Sequence, residues 1–294
     1  MVTRRSLLKT LSLAAVAQGF SRTLHAQSRI LYGYAAITWG NALTQAIEDI
    51  SAVGFHAIQL RGEAVTQFGT RPQELRDLLT KHRLVFAVLS SGNLSIDPAR
   101  EREMLATHVS HAQFVRDAGG AYLQVIDERP KGRRIVANDY RRLGRLLTEL
   151  GKRTADLHVP LVYHHHMNSL GEKPQEIDAV LAAADPKFVR LLFDTAHYRQ
   201  GGGDPVKALR QYRQWIEVLH LKDVRVSGGS GRYEFVELGR GHVDLHGVFD
   251  ALREMEYEKW AIVELDRVVD PGRTPKEAAE VNRRFLVEQM HQVI

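Results

Sequence analysis

The sequence predicts an α/β protein folded as a single (β/α)8 (TIM) barrel, on three observations. Eight short apolar runs alternate with eight longer stretches of helical pattern over residues 30–290. The runs are nearly continuous in aliphatic residues, as parallel strands covered on both faces must be. No Pro/Gly/Ser-rich linker divides the chain, and 294 residues suit one barrel.

The expected strands are 30–37, 56–60, 84–89, 121–126, 160–164, 189–193, 218–221 and 260–265. Helical patterns fall near 41–53, 71–82, 99–118, 138–157, 174–184, 204–214, 246–256 and 274–290. Arg71-Pro72 with Glu74, Asp97-Pro98, and Gly203-Asp204-Pro205 read as helix starts. Gly54, Gly119 and Gly120 stand where helices should end. A doubly wound open sheet is the competing fold. It usually carries a glycine-rich phosphate turn after its first strand, whereas this strand runs into Thr38-Trp39-Gly40-Asn41. Gly228-Gly229-Ser230-Gly231 reads as a flexible loop over the barrel mouth.

The first 26 residues are read apart from the fold. Thr3-Arg4-Arg5-Ser6-Leu7-Leu8-Lys9 is a twin-arginine pattern, and the apolar run 11–17 follows it. That run is too short to span a bilayer, which takes about 20 apolar residues. The order of charge, apolar run and a small-residue end at Ala26 is that of an export signal. The expectation is a signal at 1–26, a barrel domain at 27–294, recognition by the twin-arginine (Tat) export machinery, and a periplasmic mature protein with no stable membrane insertion.

Composition narrows the function. The chain contains no cysteine, which excludes disulfides, thiolate metal sites and a cysteine nucleophile. The formal charge is +5, but Arg4, Arg5, Lys9 and Arg22 lie in the signal, leaving 36 basic against 35 acidic residues. A nearly neutral body does not suit nucleic-acid binding, which needs a basic face.

Barrel chemistry sits at the C-terminal ends of the strands. Strand five gives His164-His165-His166 and then Glu172. Strand six ends in Asp194 with His197 three residues on, strand seven in His220-Leu221-Lys222, and strand eight in Glu264-Leu265-Asp266. Glu172, Asp194, His220 and Glu264 form a set of three carboxylates and one imidazole. Crowded carboxylates repel one another unless a cation lies between them. The expectation is one divalent metal ion, Mn²⁺ first, with Co²⁺, Mg²⁺ or Zn²⁺ as alternatives. Strand alternation puts His164 and His166 on the pocket side and His165 against the helices. His197 could hydrogen-bond a ligand carboxylate or the substrate.

These residues carry a resemblance. Together with Ile37-Thr38-Trp39-Gly40-Asn41, Gly201-Gly202-Gly203-Asp204-Pro205, Leu238-Gly239-Arg240-Gly241-His242-Val243-Asp244 and Val263-Glu264-Leu265-Asp266-Arg267, they resemble the xylose isomerase-like superfamily of sugar isomerases and epimerases. The branch they are most similar to is that of inosose dehydratases. The resemblance covers about residues 30–290. It implies a Mn²⁺- or Co²⁺-type site on Glu172, Asp194, His220 and Glu264, with Glu172 and Glu264 as acid and base on opposite faces of the substrate. It also implies that Trp39, His166, His197 and Lys222 face substrate. Arg240 replaces a usual acid in its loop, and Gln59 stands where a glutamate is frequent; Arg240 is thereby expected among the substrate contacts.

The function expected is a metal-dependent isomerase or epimerase that abstracts a proton α to the carbonyl of a polyhydroxy ketone or aldehyde. The alternatives are a lyase of the inosose dehydratase kind and a non-catalytic periplasmic sugar-binding barrel. The expected partner is a small sugar or polyol, and homo-oligomerisation is allowed.

Overall fold

A computed structural model describes residues 30–227 and 232–294. The export signal expected at 1–26 and the loop 228–231 lie outside the described residues.

Eight parallel strands close into a barrel. They are β1 (Leu31–Ala35), β2 (Ala57–Arg61), β3 (Val85–Leu94), β4 (Tyr122–Asp127), β5 (Leu161–His164), β6 (Val189–Asp194), β7 (Ile216–Leu221) and, last in the chain, β10 (Trp260–Val263). Around the ring the order is β1-β10-β7-β6-β5-β4-β3-β2, so each strand pairs with its neighbours in sequence and the last closes on the first. The helices are α1 (Leu43–Val53), α2 (Gly62–Phe68), α3 (Pro72–Lys81), α4 (Glu101–Asp117), α5 (Ala137–Ala155), α6 (Pro174–Leu181), α7 (Thr195–Gln200), α8 (Pro205–Gln211), α9 (Leu245–Glu254) and α10 (Pro275–Arg284).

Local chemistry sets the helix ends. Prolines open α3, α6, α8 and α10 in the first turn, where their missing N–H costs nothing. Asp204 caps α8 by accepting from the Val206 and Lys207 amides. Gly54 ends α1 at φ 99°, a left-handed conformation that suits glycine. At Asp97-Pro98 the chain first makes a turn, Asp97 Oδ1 accepting from Ala99 N, and α4 begins at Glu101.

Two short helices escape the sequence pattern, because α2 and α7 follow their strands without a loop. After β7 an antiparallel hairpin rises, β8 (Asp223–Ser227) and β9 (Arg232–Val236). The expected loop lies between these two strands. The Asp223 carboxylate anchors the hairpin base by accepting from the amides of Val224, Gly239, Gly241 and Val243.

The core has two parts. A large apolar layer fills the space between strands and helices. A small cluster lies inside the barrel, made of Ala35, Ala57, Ala87, Val88, Val162, Leu192, Val218 and Ile262. This plug is the floor on which the site stands.

Candidate metal centre

Side chains alternate along a strand, so the next inward position lies two residues beyond each plug residue. Counting from Ala35, Ala57, Val88, Val162, Leu192, Val218 and Ile262 gives Ile37, Gln59, Ser90, His164, Asp194, His220 and Glu264. On β4 the equivalent step from Tyr122, which packs on the plug, gives Gln124. The floor is therefore apolar and the layer above it almost wholly polar.

Neighbouring strands bring the donors of this layer together. Asp194 and His220 are register partners across β6 and β7. His220 Nδ1 lies 3.4 Å from Asp194 Oδ2 and 3.6 Å from Glu264 Oε1. One ligand atom each from His164, Asp194, His197 and Glu264 lies within 4.8 Å of the others. His164 Nδ1, Asp194 Oδ2, His197 Nε2 and His220 Nδ1 are buried, and none has a hydrogen-bond partner. Unpaired polar atoms in an interior are costly, so a buried cluster of this kind suits a cation.

The nitrogen donors are not equivalent. The Met167 amide donates to His197 Nδ1. A neutral His197 ring then carries its proton on Nε2, which makes it a hydrogen-bond donor rather than a ligand. Asp194 divides its two oxygens. Oδ1 caps α7 by accepting from His197 N at 2.8 Å, and Oδ2 remains free to face His220. The candidate donors are thus Asp194 and Glu264 through oxygen and His164 through nitrogen, with His220 Nδ1 beside both carboxylates. Two imidazoles and two carboxylates fit manganese, cobalt or zinc better than magnesium.

Electrostatics keep Glu264 ionised and His164 neutral. Burial alone would raise the Glu264 pKa, but His220 and Lys222 hold it below the ordinary carboxylate range. Lys222 is fully buried; burial would lower its pKa, yet Glu264, Asp266 and Asp194 raise it. Its Nζ lies 2.8 Å from Glu264 Oε1 and also donates to Asp266. Burial, aided by neighbouring cationic groups, pushes His164 and His197 well below the usual histidine range. Both rings are therefore neutral at pH 7.

An open cavity of about 720 Å³ lies over this layer, lined by Ile37, Gln59, Ser90, Gln124, His164, His166, Glu264 and Asp266 among others. His166 Nδ1 donates to the Met167 carbonyl at 2.8 Å, which leaves its Nε2 as an acceptor. The other side of the donor cluster is walled by the hairpin. Phe235 of β9 packs edge-on to His197, with Lys222 Nζ 4.1 Å from the centre of its ring.

Three residues expected at the site stand elsewhere. Glu172 lies in the β5–α6 loop, half-buried, accepting from Gln200 Nε2 at 3.1 Å. It is not among the clustered donors, which include His164 at the end of β5. Trp39 packs edge-on to Tyr34 and donates its indole N–H to Asp49. Arg240 is exposed and pairs with Glu237 and Asp270. His165 faces outward as alternation requires, packed on Phe193 and Tyr198.

Four residues of the site were not singled out as ligands or contacts from sequence. They are Gln59, Gln124, Ser90 and Phe235. A usable signal existed for Gln59 and Gln124, since each is a polar residue interrupting an apolar strand. Phe235 gave none, because the hairpin itself was unreadable.

Residues 47–289 match the family model described as xylose isomerase-like TIM barrel. The chain belongs to the xylose isomerase-like TIM barrel family. Within this family, the chain is 29% identical over 301 residues to an inosose dehydratase of Geobacillus kaustophilus, an alignment covering 89% of this chain and 95% of the relative. Among solved structures, it resembles the IOLI protein with a bound zinc atom at TM-score 0.74 and 18% identity, covering 88% of this chain and 97% of that one. It also resembles a D-tagatose 3-epimerase-like protein at TM-score 0.75 and 16% identity, covering 89% and 97%. At these identities the structural likenesses establish the xylose isomerase-like fold alone.

Proposed function

We propose that this protein is a metal-dependent lyase that removes a proton α to the carbonyl of a polyhydroxy ketone and expels the neighbouring hydroxyl as water. The observation that carries the choice is the likeness to an inosose dehydratase aligned over most of both chains. Epimerisation needs a proton taken from one face and returned on the other. Elimination needs one base and a route for the leaving hydroxyl.

A divalent ion held by Asp194, His220, Glu264 and His164, manganese or zinc by this donor set, would supply Lewis acidity toward the substrate oxygens. The chain's own groups do the rest. His166 Nε2 is an acceptor on the cavity wall and is placed to take the α-proton. His197 Nε2–H has no other partner and can donate to a substrate oxygen. The proton leaves with the β-hydroxyl as water, so the substrate loses one H₂O and the carbonyl is retained. Isomerisation is the second reading, which membership of the xylose isomerase-like family leaves open.

The deciding experiment supplies inososes and keto-sugars in deuterated water with added Mn²⁺ or Zn²⁺. Water loss, read as a new conjugated chromophore, supports the lyase. Deuterium uptake with recovery of a C-epimer, without water loss, replaces it with the isomerase. No exchange and no product with any keto-polyol rejects both and leaves a binding barrel.

Export is part of the same proposal. The twin-arginine pattern supports a periplasmic site of action after passage through the Tat machinery in the folded state. Replacing Arg4 and Arg5 by Lys should hold the folded precursor in the cytoplasm. Normal export of that variant would reject the reading.

A further inference from the structure

Gln59 ties three strands of the barrel together within the donor layer. It sits on β2, is 2% exposed, and reaches past β1 to groups on β7 and just after β10. Its Nε2 donates to Glu264 Oε2 at 3.2 Å, and its Oε1 lies 2.8 Å from His220 Nε2.

These two contacts fix each other. An ionised carboxylate only accepts, so the amide must turn its NH₂ to Glu264. Its carbonyl oxygen then faces His220, and an amide oxygen only accepts. His220 must therefore carry its proton on Nε2. In the neutral ring the Nδ1 lone pair then points between Asp194 Oδ2 and Glu264 Oε1, where it has no hydrogen-bond partner.

We propose that Gln59 is a positioning residue that sets the tautomer of His220 and thereby holds its Nδ1 ready for a divalent cation. The proposal rests on the metal reading of the site. Second partners of this kind orient a ligating imidazole and raise its basicity. The neutral amide does something a carboxylate could not. It satisfies the ring and Glu264 at once, because it offers one acceptor and two donors. A glutamate at 59 would keep the acceptor for His220 and put a second negative charge against Glu264 Oε2.

The test reads the tautomer directly in metal-free protein at pH 8, by long-range ¹⁵N–¹H correlation of the imidazole rings. His220 is assigned by comparison with His220→Gln. The parent should show His220 protonated on Nε2. A neutral ring protonated on Nδ1 and not on Nε2 overturns the proposal whether or not the protein binds metal. Gln59→Leu removes both contacts and should give a tautomer mixture, with Mn²⁺ or Zn²⁺ affinity about 10–100-fold weaker. Gln59→Glu should keep the parental tautomer, which a merely space-filling role for Gln59 would not require. If folded Gln59→Leu keeps both the tautomer and the affinity, Gln59 has no positioning role. If the parent binds no divalent ion, the metal reading fails and the tautomer alone decides whether Gln59 sets the ring.

Discussion

Asp194 and His220 face each other in register across β6 and β7, with Oδ2 and Nδ1 3.4 Å apart, both buried and neither hydrogen-bonded elsewhere. The other Asp194 oxygen is committed to capping α7. Cap and ligand are therefore separable by chemistry. Asp194→Asn keeps an oxygen for the His197 amide and should retain the parental melting temperature in chelator, while weakening metal binding by at least about 10-fold. Asp194→Ala loses the cap as well and should cost about 1 kcal/mol more. Equal metal affinity in parent and Asp194→Asn would remove Asp194 from the site.

Lys222 is a fully buried cation whose charge is matched by Glu264 and Asp266. Lys222→Met should destabilise the metal-free protein by about 3–5 kcal/mol, because it strands buried carboxylate charge. A divalent ion supplies positive charge beside the same Glu264. Added Mn²⁺ or Zn²⁺ should therefore raise the urea midpoint of Lys222→Met more than that of the parent. Equal metal-induced shifts would show that ammonium and cation do not share Glu264.

Glu172 is predicted to be dispensable for metal binding. Its carboxylate accepts from Gln200 and stands outside the converging donors. Calorimetric titration should find the affinity of Glu172→Gln within about threefold of the parent, well inside 1.4 kcal/mol. Glu264→Gln loses the ionised oxygen paired with Lys222 and should be at least 10-fold weaker. A large loss in Glu172→Gln would return the ligand set to the three-carboxylate arrangement expected from sequence.

The buried histidines make the fold acid-sensitive. Burial pushes His165 and His108 down to about 4 from an ordinary value near 6.5. Both stay neutral in the native state, while the unfolded chain takes up protons as pH falls through about 6.5. Their contribution is fully present above 6.5 and declines as pH falls from there toward 4. Urea unfolding at pH 8, 6 and 5 should give a flat midpoint from 8 to 7 and a falling one below 6.5. His165→Phe should reduce that fall. A midpoint unchanged from pH 8 to 5 would contradict it.

Much of this architecture was legible because strand and helix signals agree locally. All eight barrel strands and the helices that separate them were visible, since buried parallel strands leave continuous apolar runs. The helices α2 and α7 and the β8–β9 hairpin were not. The first two are a few residues long and grow directly from strand ends, and the hairpin is held by one buried carboxylate, Asp223, gathering amides from a distant loop. Asp194, His220 and Glu264 were readable as ionisable groups at strand ends. His164 was readable as a pocket residue but not as a donor, because the choice between it and Glu172 depends on the path of the β5–α6 loop. Asp127 fixes that loop, accepting from Tyr163 Oη and from the amides of Leu170 and Gly171, a long-range link that no local pattern encodes. Arg240 was expected among the substrate contacts, and its pairing with Glu237 and Asp270 emerges only in three dimensions.

The central claim is that four strand-end donors hold one divalent ion, and the metal content of the purified mature protein tests it most directly. Elemental analysis should find about one manganese or zinc per chain, removed by chelator and restored by either ion. His220→Ala and Asp194→Asn, purified alongside, should carry much less. Folded parent protein that holds no divalent metal and binds none on titration would contradict the account.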